Sequence, residues 1–286
     1  MKNLGLNLLL VLVLSACGRS GPESASPSGE FDSRILGGEE VVAGDPLAHS
    51  TVMVGQSGFE DCSATLLSDS ILVTAAHCVD PHFTGAPPFV EGFFVKFRSP
   101  GLPQQERSVD AYVVHPKWAE TTEELRRVLL PRMLDPSWKD WGDVALVRFT
   151  GGLPEGYEAA EILPADFAVT PGQSVILAGF GSRATEDASE EGRGVLRRVE
   201  KTVERADADS FEFVFNQADG KGSCKSDSGG PAFVENGGRY FLLGATSRAV
   251  GAVENTIAKL CRHDSVYTDL RRVSDWLLPA KESLSR

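Results

Sequence analysis

From Ile35 onward the chain runs in short apolar or alternating stretches with turn-forming residues between them. Ile71-Leu72-Val73-Thr74, Phe93 to Phe97, Ala111 to Val114, Val144 to Val147, Ser174 to Leu177 and Tyr240 to Leu243 all have this character. Asn236-Gly237-Gly238, just before the last of them, suits a tight hairpin. Many short strands separated by turns confine the chain to the all-β class, as a barrel or a sandwich. The pattern alone does not choose between the two. Two segments stand apart. Thr121 to Leu134 has helical spacing and an N-cap signal, with Pro131 expected to kink or end it. Residues 270–278, with Val273, Trp276 and Leu277 on one face, read as a C-terminal amphipathic helix.

A chain of 286 residues that is 42% hydrophobic can bury one large core or two smaller ones. The net charge of −12 excludes a nucleic-acid partner, because neutralising phosphates needs a surplus of Lys and Arg. At the N-terminus, Lys2 precedes an apolar run from Leu4 to Leu14 that ends in Leu14-Ser15-Ala16-Cys17. A short basic region, a short apolar core and small residues at the exit describe a secretory signal peptide over residues 1–16. The run is too short to remain as a membrane-spanning helix. Its ending resembles a bacterial lipobox, which makes Cys17 the lipidated first residue of the mature chain.

Residues 18–34 are rich in Gly, Ser and Pro and cannot bury enough apolar surface to offset their ordering entropy. Together with Cys17 they read as a lipid-anchored flexible propeptide over 17–34, ahead of a folded domain over 35–286. Assigning Cys17 to lipid leaves Cys62, Cys78, Cys224 and Cys261, an even set suited to an oxidising compartment. The five histidines are scattered and form no close cluster with cysteine, so a metal site is excluded and no cofactor is expected.

Three motifs carry chemistry: Thr74-Ala75-Ala76-His77-Cys78, Asp143-Val144-Ala145-Leu146 and Asp227-Ser228-Gly229-Gly230-Pro231. A serine hydroxyl is a poor nucleophile at neutral pH until an imidazole takes its proton, and a carboxylate behind the imidazole fixes its tautomer. Taken together in the order His, Asp, Ser, the motifs resemble those of chymotrypsin-family serine proteases. Arg34-Ile35-Leu36-Gly37-Gly38, Gly179-Phe180-Gly181 and Val266-Tyr267 before a helix with Asp275-Trp276-Leu277 extend the resemblance over roughly residues 35 to 278.

The resemblance implies two six-stranded antiparallel barrels, about 35–150 and about 151–270, followed by a helix over about 270–280. It implies a secreted serine endopeptidase acting through an acyl-enzyme, with protein or peptide substrates and expected to be a monomer. His77 is then the general base, Asp143 its orienting acid and Ser228 the nucleophile, with the amides of Ser226 and Ser228 as the oxyanion hole. It also implies the bridges Cys62–Cys78 and Cys224–Cys261. Activation follows from cleavage after Arg34 by an activating protease, or by the enzyme itself. The freed ammonium of Ile35 then pairs with Asp227, and the exported precursor, held to the membrane only through Cys17, is released.

The chain departs from the family pattern in places. Ser226 stands where glycine is usual, which leaves a non-catalytic binding protein with an impaired oxyanion hole as the alternative. Gly222 stands where trypsin-like members carry a pocket aspartate. Ser247, Arg248 and Ala249 match the Ser-Trp-Gly pocket wall, with Arg248 replacing an indole. Asp264, beside Ser265, is placed to supply a displaced acid or to pair with Arg248. The 121–140 insertion is expected to narrow substrate access. Glu186, Asp187, Glu190 and Glu191 form an acidic surface loop, and His82, His115 and His263 carry no catalytic role.

Overall fold

The computed structural model describes residues 35–56, 61–80, 92–127, 139–181, 194–251 and 261–286. The expected signal peptide, Cys17, the expected propeptide, Arg34, His82 and the expected acidic loop lie outside these residues. The strands are β1 (Glu39–Glu40), β2 (Thr51–Gln56), β3 (Cys62–Leu66), β4 (Ile71–Thr74), β5 (Phe93–Phe97), β6 (Gln105–Val114), β7 (Ala145–Phe149), β8 (Glu161–Ile162), β9 (Ser174–Gly179), β10 (Arg197–Thr202), β11 (Arg205–Ala206), β12 (Glu212–Phe215), β13 (Pro231–Asn236), β14 (Arg239–Val250) and β15 (Asp264–Asp269).

The first six long strands close into a barrel in the order β2-β3-β4-β7-β6-β5, and β2 pairs with β5 to seal it. The others form a second, nine-stranded sheet along β1-β10-β9-β13-β14-β15-β12-β11, with β8 pairing in parallel with β14. The fold is chymotrypsin-like. Among the described residues the strands of the second sheet pair along this path, beside the closed first barrel.

Alternation along the strands explains how the halves adhere. Side chains of successive strand residues point to opposite faces. Val52, Val54, Leu72, Ala145 and Val147 fill the barrel with Phe97 and Phe149. Their neighbours Met53, Ile71, Val73, Val144 and Leu146 belong to a different cluster, shared with Ile176, Ala178, Phe180, Phe233 and Leu242 of the second sheet. β2 and β4 therefore bury both faces, and the barrel wall toward the second sheet is an apolar interface.

The hairpin at Gly237-Gly238 joins β13 to β14 with Asn236 opposite Arg239. Both glycines have positive φ, 61° and 77°, which a two-residue turn matching strand twist requires. Two helical expectations shift. The helix expected at Thr121 begins five residues earlier and spans Pro116–Arg127. Proline suits a first helical turn because its missing N–H has no partner there; residues 128–138, with Pro131, lie outside the described part. The terminal helix spans Ser274–Leu284 and buries Leu277 against the interface cluster, with Val273 buried just before it. No helix among the described residues is long and apolar enough to cross a membrane.

Candidate active site

β4 and β7 are antiparallel neighbours, and Thr74 opposite Ala145 is their last pair. His77 sits three residues past that pair, in the single 3₁₀ turn Ala76–Cys78, and Asp143 two residues before it. Register alone thus brings the two to one rim of the barrel. Their contact is double: the His77 amide donates to Asp143 Oδ1 at 2.9 Å, and His77 Nδ1 lies 2.8 Å from Asp143 Oδ2. Asp143 is buried, which by itself raises a carboxyl's pKa. The charge of His77, its two hydrogen bonds and the Ser247 hydroxyl outweigh burial and hold Asp143 below the ordinary carboxylate value.

Ser247 owes its position to a bulge. Thr246 pairs with Tyr267 and Arg248 with Val266, so Ser247 is the extra residue on β14, and a bulge re-aims the side chain it carries. Its hydroxyl donates to Asp143 Oδ2 at 2.7 Å. Thr268 Oγ1 on β15 donates to the Asp143 carbonyl at 3.2 Å. The second sheet therefore grips the same aspartate that orients His77.

Ser228 lies on the loop leading into β13, and the two glycines that follow explain its motif. A Cβ on Gly229 (φ 75°) would lie 2.0 Å from Thr74 Oγ1 and 2.7 Å from the Ala75 nitrogen. A Cβ on Gly230 would lie 2.7 Å from the Ala178 carbonyl. Only glycines let the loop press against the segment that runs into His77, at Gly229, and against β9, at Gly230. Ser63 on β3 fastens it there: its amide donates to the Ser228 carbonyl at 2.9 Å and its hydroxyl to the Ser226 carbonyl at 3.1 Å. Nothing in the sequence marked Ser63. The expected bridges Cys62–Cys78 and Cys224–Cys261 are both formed, beside His77 and on the Ser228 loop. Cys62, His77 and Cys78 lie close enough together to suggest a metal site, but disulfide sulfurs offer no thiolate.

Ser226 has φ of 70°, the left-handed region where a side chain is strained by roughly 1–2 kcal/mol. The serine adopts the glycine-type conformation rather than forcing the loop out of it. Neither the Ser226 nor the Ser228 amide donates to a backbone carbonyl among the described residues. Asp227 is fully buried. Its carboxylate accepts the amides of Gly181 at 2.8 Å and Cys224 at 2.9 Å. Burial is the dominant influence and pushes it up to about 7, against those hydrogen bonds and the charge of Arg197. Ile35 is buried in the second sheet's own core cluster, and its neighbour Leu36 bridges to Gly222.

A cavity of about 320 Å³ opens beside Ser228, walled by Ser247, Arg248, Ala249, Ser265, Thr246, Ser223, Lys225 and the Cys224–Cys261 bridge. Ser247, Arg248, Ala249 and Ser265 were expected there; Gly222 and Asp264 are not among its walls. Gly222 has φ of 144°, and a Cβ on it would strike Gln217 Oε1 at 2.0 Å. The buried Gln217 amide ties Ser223 and Cys261 together there, so the place of an acidic side chain is taken by a neutral one. Asp264 accepts from Asn216 Nδ2 at 3.1 Å. Arg248 pairs with Glu212, at 2.8 and 2.9 Å through both nitrogens of its fork. The signal for Glu212 was present in Glu212-Phe213-Val214-Phe215, a carboxylate heading an otherwise apolar strand that must find a cation if buried.

The segment before Asp143 is braced as well. Asp140 Oδ1 accepts the Ser210 hydroxyl and the Phe211 amide at 2.7 and 2.9 Å. From the helix Pro116–Arg127, Thr121 Oγ1 donates to the Trp141 carbonyl at 3.0 Å. Trp118 Nε1 on the same helix donates to Asp80 Oδ2 at 2.8 Å, just past His77. The helix Pro116–Arg127 thus supports both rim segments.

A family profile described as Trypsin matches residues 35–277. The chain belongs to the trypsin family. It is 28% identical over 273 residues to "Transmembrane protease serine 9" of Rattus norvegicus, covering 90% of this chain and 23% of that protein. It is 27% identical to "Serine proteinase stubble" of Drosophila melanogaster, covering 83% and 30%. It is 26% identical to "Trypsin-1" of Astacus astacus, covering 85% of this chain and 98% of that one. The chain spans less than a third of the length of the first two, 23% and 30%.

Proposed function

We propose that this trypsin-family chain is an exported serine endopeptidase in which Ser228 attacks the peptide carbonyl, His77 takes and returns the proton, and Asp143 holds the imidazole. The observation that carries this reading is the doubly bonded His77–Asp143 pair at the rim against which the glycine-flanked Ser228 loop is packed. The amides of Ser226 and Ser228 are the donors for the oxyanion. The glycine-like φ of Ser226 supports catalysis over a mere binding role, because the loop keeps the shape that such donors need.

The substrate residue preceding the cleaved bond enters the cavity beside Ser228. With Gln217 filling the space that a side chain at Gly222 would need and no carboxylate among the cavity's described walls, an uncharged side chain suits it better than a basic one. Cleavage after Arg34 activates the chain by delivering the Ile35 ammonium to Asp227. Because the Gly/Ser/Pro-rich segment 18–34 has no cysteine to keep the pieces joined, the same cut frees the domain from a lipidated Cys17. Digestion of an unbiased peptide library by the processed chain, with Ser228→Ala as control, tests the reading. Cleavage dependent on Ser228, mostly after uncharged residues, is expected. No cleavage under any processing condition would refute the peptidase, and cleavage chiefly after Arg and Lys would refute only the pocket assignment.

A further inference from the structure

The buried pair Glu212–Arg248 lies outside the three catalytic motifs, yet it bonds to both sides of Asp143. On one side, the Trp141 amide, two residues upstream of Asp143, donates to Glu212 Oε1 at 3.0 Å. On the other, Arg248 Nη1 lies 3.4 Å from Ser247 Oγ, the hydroxyl that donates to Asp143 Oδ2. The guanidinium also stands 4.3 Å over the Trp141 ring, within cation–π range. The side chains of Arg248 and Glu212 are only 7% and 5% exposed. Trp141 and Asp143 belong to the first barrel's rim; Glu212, Ser247 and Arg248 sit on β12 and β14 of the second sheet.

We propose that Glu212 and Arg248 are positioning residues for the reaction, a clasp between the two halves that sets where Asp143, and through it His77, stands relative to Ser228. This rests on the triad reading of the preceding section. A hydroxyl has one proton to donate. A guanidinium N–H on the acceptor side of Ser247 Oγ turns that proton toward Asp143. Glu212 does the same for the backbone, holding the Trp141 amide so that the turn through Gly142 presents Asp143 at one angle. Glu212 also spreads Arg248 flat over Trp141, where lysine lacks the planar fork to replace it.

Stability and reactivity part company under this proposal. A buried ion pair contributes little net stability, and its replacement by apolar groups is often neutral or stabilising. The loss of positioning is not repaired by such a replacement. Misplacement by about 1 Å costs roughly 100-fold in rate.

The test uses the full chain in its active, processed form and compares it with Glu212→Gln, Arg248→Met and the double variant Glu212→Gln/Arg248→Met. Thermal midpoint is followed beside kcat, KM and the rate of covalent labelling by a fluorophosphonate. The single variants, each with an orphaned buried group, are expected to melt earlier. The double variant is expected to melt close to the native chain, yet to lose about 10- to 100-fold in kcat and labelling rate with KM nearly unchanged. Arg248→Lys, which keeps the charge, is expected to recover stability better than rate. A double variant with native kcat and labelling rate would overturn the proposal, even if the single variants fail to fold. A native chain that never labels would instead refute the triad reading on which it rests.

Discussion

At the scale of single residues, the strongest expectations attach to Asp227 and Ser226. Burial raises Asp227 from 3.8 to about 7. Between about pH 4 and pH 7 the folded, uncut chain keeps a proton that the unfolded chain has given up, so its stability falls as pH rises through that window. An ammonium delivered by cleavage would keep the carboxylate ionised and remove the loss. Calorimetry of cut and uncut chains should therefore show a stability advantage of the cut form that grows from pH 4 to pH 7.5; a constant difference would contradict the pairing. The paired amine itself, with an unpaired pKa of ~8, has its own raised by the partner. Activity should hold below that and fall as pH climbs through the raised value, a loss visible in the pH profile of kcat/KM. At Ser226, substitution by glycine should relieve left-handed strain and raise stability by roughly 1 kcal/mol without slowing peptide cleavage. A glycine variant that is slower than native would mean the hydroxyl takes part in the site.

Among the elements, strand existence was readable from the sequence because alternation and turn residues are local signals. Ile71–Thr74 and Phe93–Phe97 have the boundaries that their runs suggest. The extent of β6 and β14 was not, since each continues well past its apolar stretch through polar residues paired by neighbours distant in sequence. The helix Pro116–Arg127 begins before its periodic run because Trp118 is anchored on Asp80, a tertiary contact with no local signature. The triad motifs were legible as residue types in order. Ser63, Gln217 and the bulge at Ser247 were not, because their roles depend on which strand lies opposite. The glycines of the Ser228 loop allow a test at this scale. Gly229→Ala puts a methyl against Thr74 Oγ1 and backbone, so it should displace the loop and lower peptide turnover by at least about 100-fold, measured as kcat. Turnover within a few-fold of native would show that the loop does not need this close approach.

For the whole molecule, the central feature is that one barrel wall serves two cores. Val73 and Leu146 point into the interface with the second sheet, while Leu72 and Val147 point into the barrel. The catalytic candidates are divided in the same way: His77 and Asp143 on one half, Ser228 and Ser247 on the other. Any slip of this interface changes the geometry of the site as well as stability. Replacing Leu146 by alanine should cost about 2–5 kcal/mol, as other buried leucines do, and the resulting melting should be followed by circular dichroism.

The claim beneath all of this is that His77 activates Ser228, and it is tested most directly by locating a covalent adduct. The processed chain would be treated with a fluorophosphonate and mapped by tandem mass spectrometry, alongside His77→Ala. The account predicts a single adduct on Ser228 and labelling slower by several orders of magnitude without the imidazole. An adduct on another residue, or equal labelling of Ser228 in the His77→Ala chain, would contradict it.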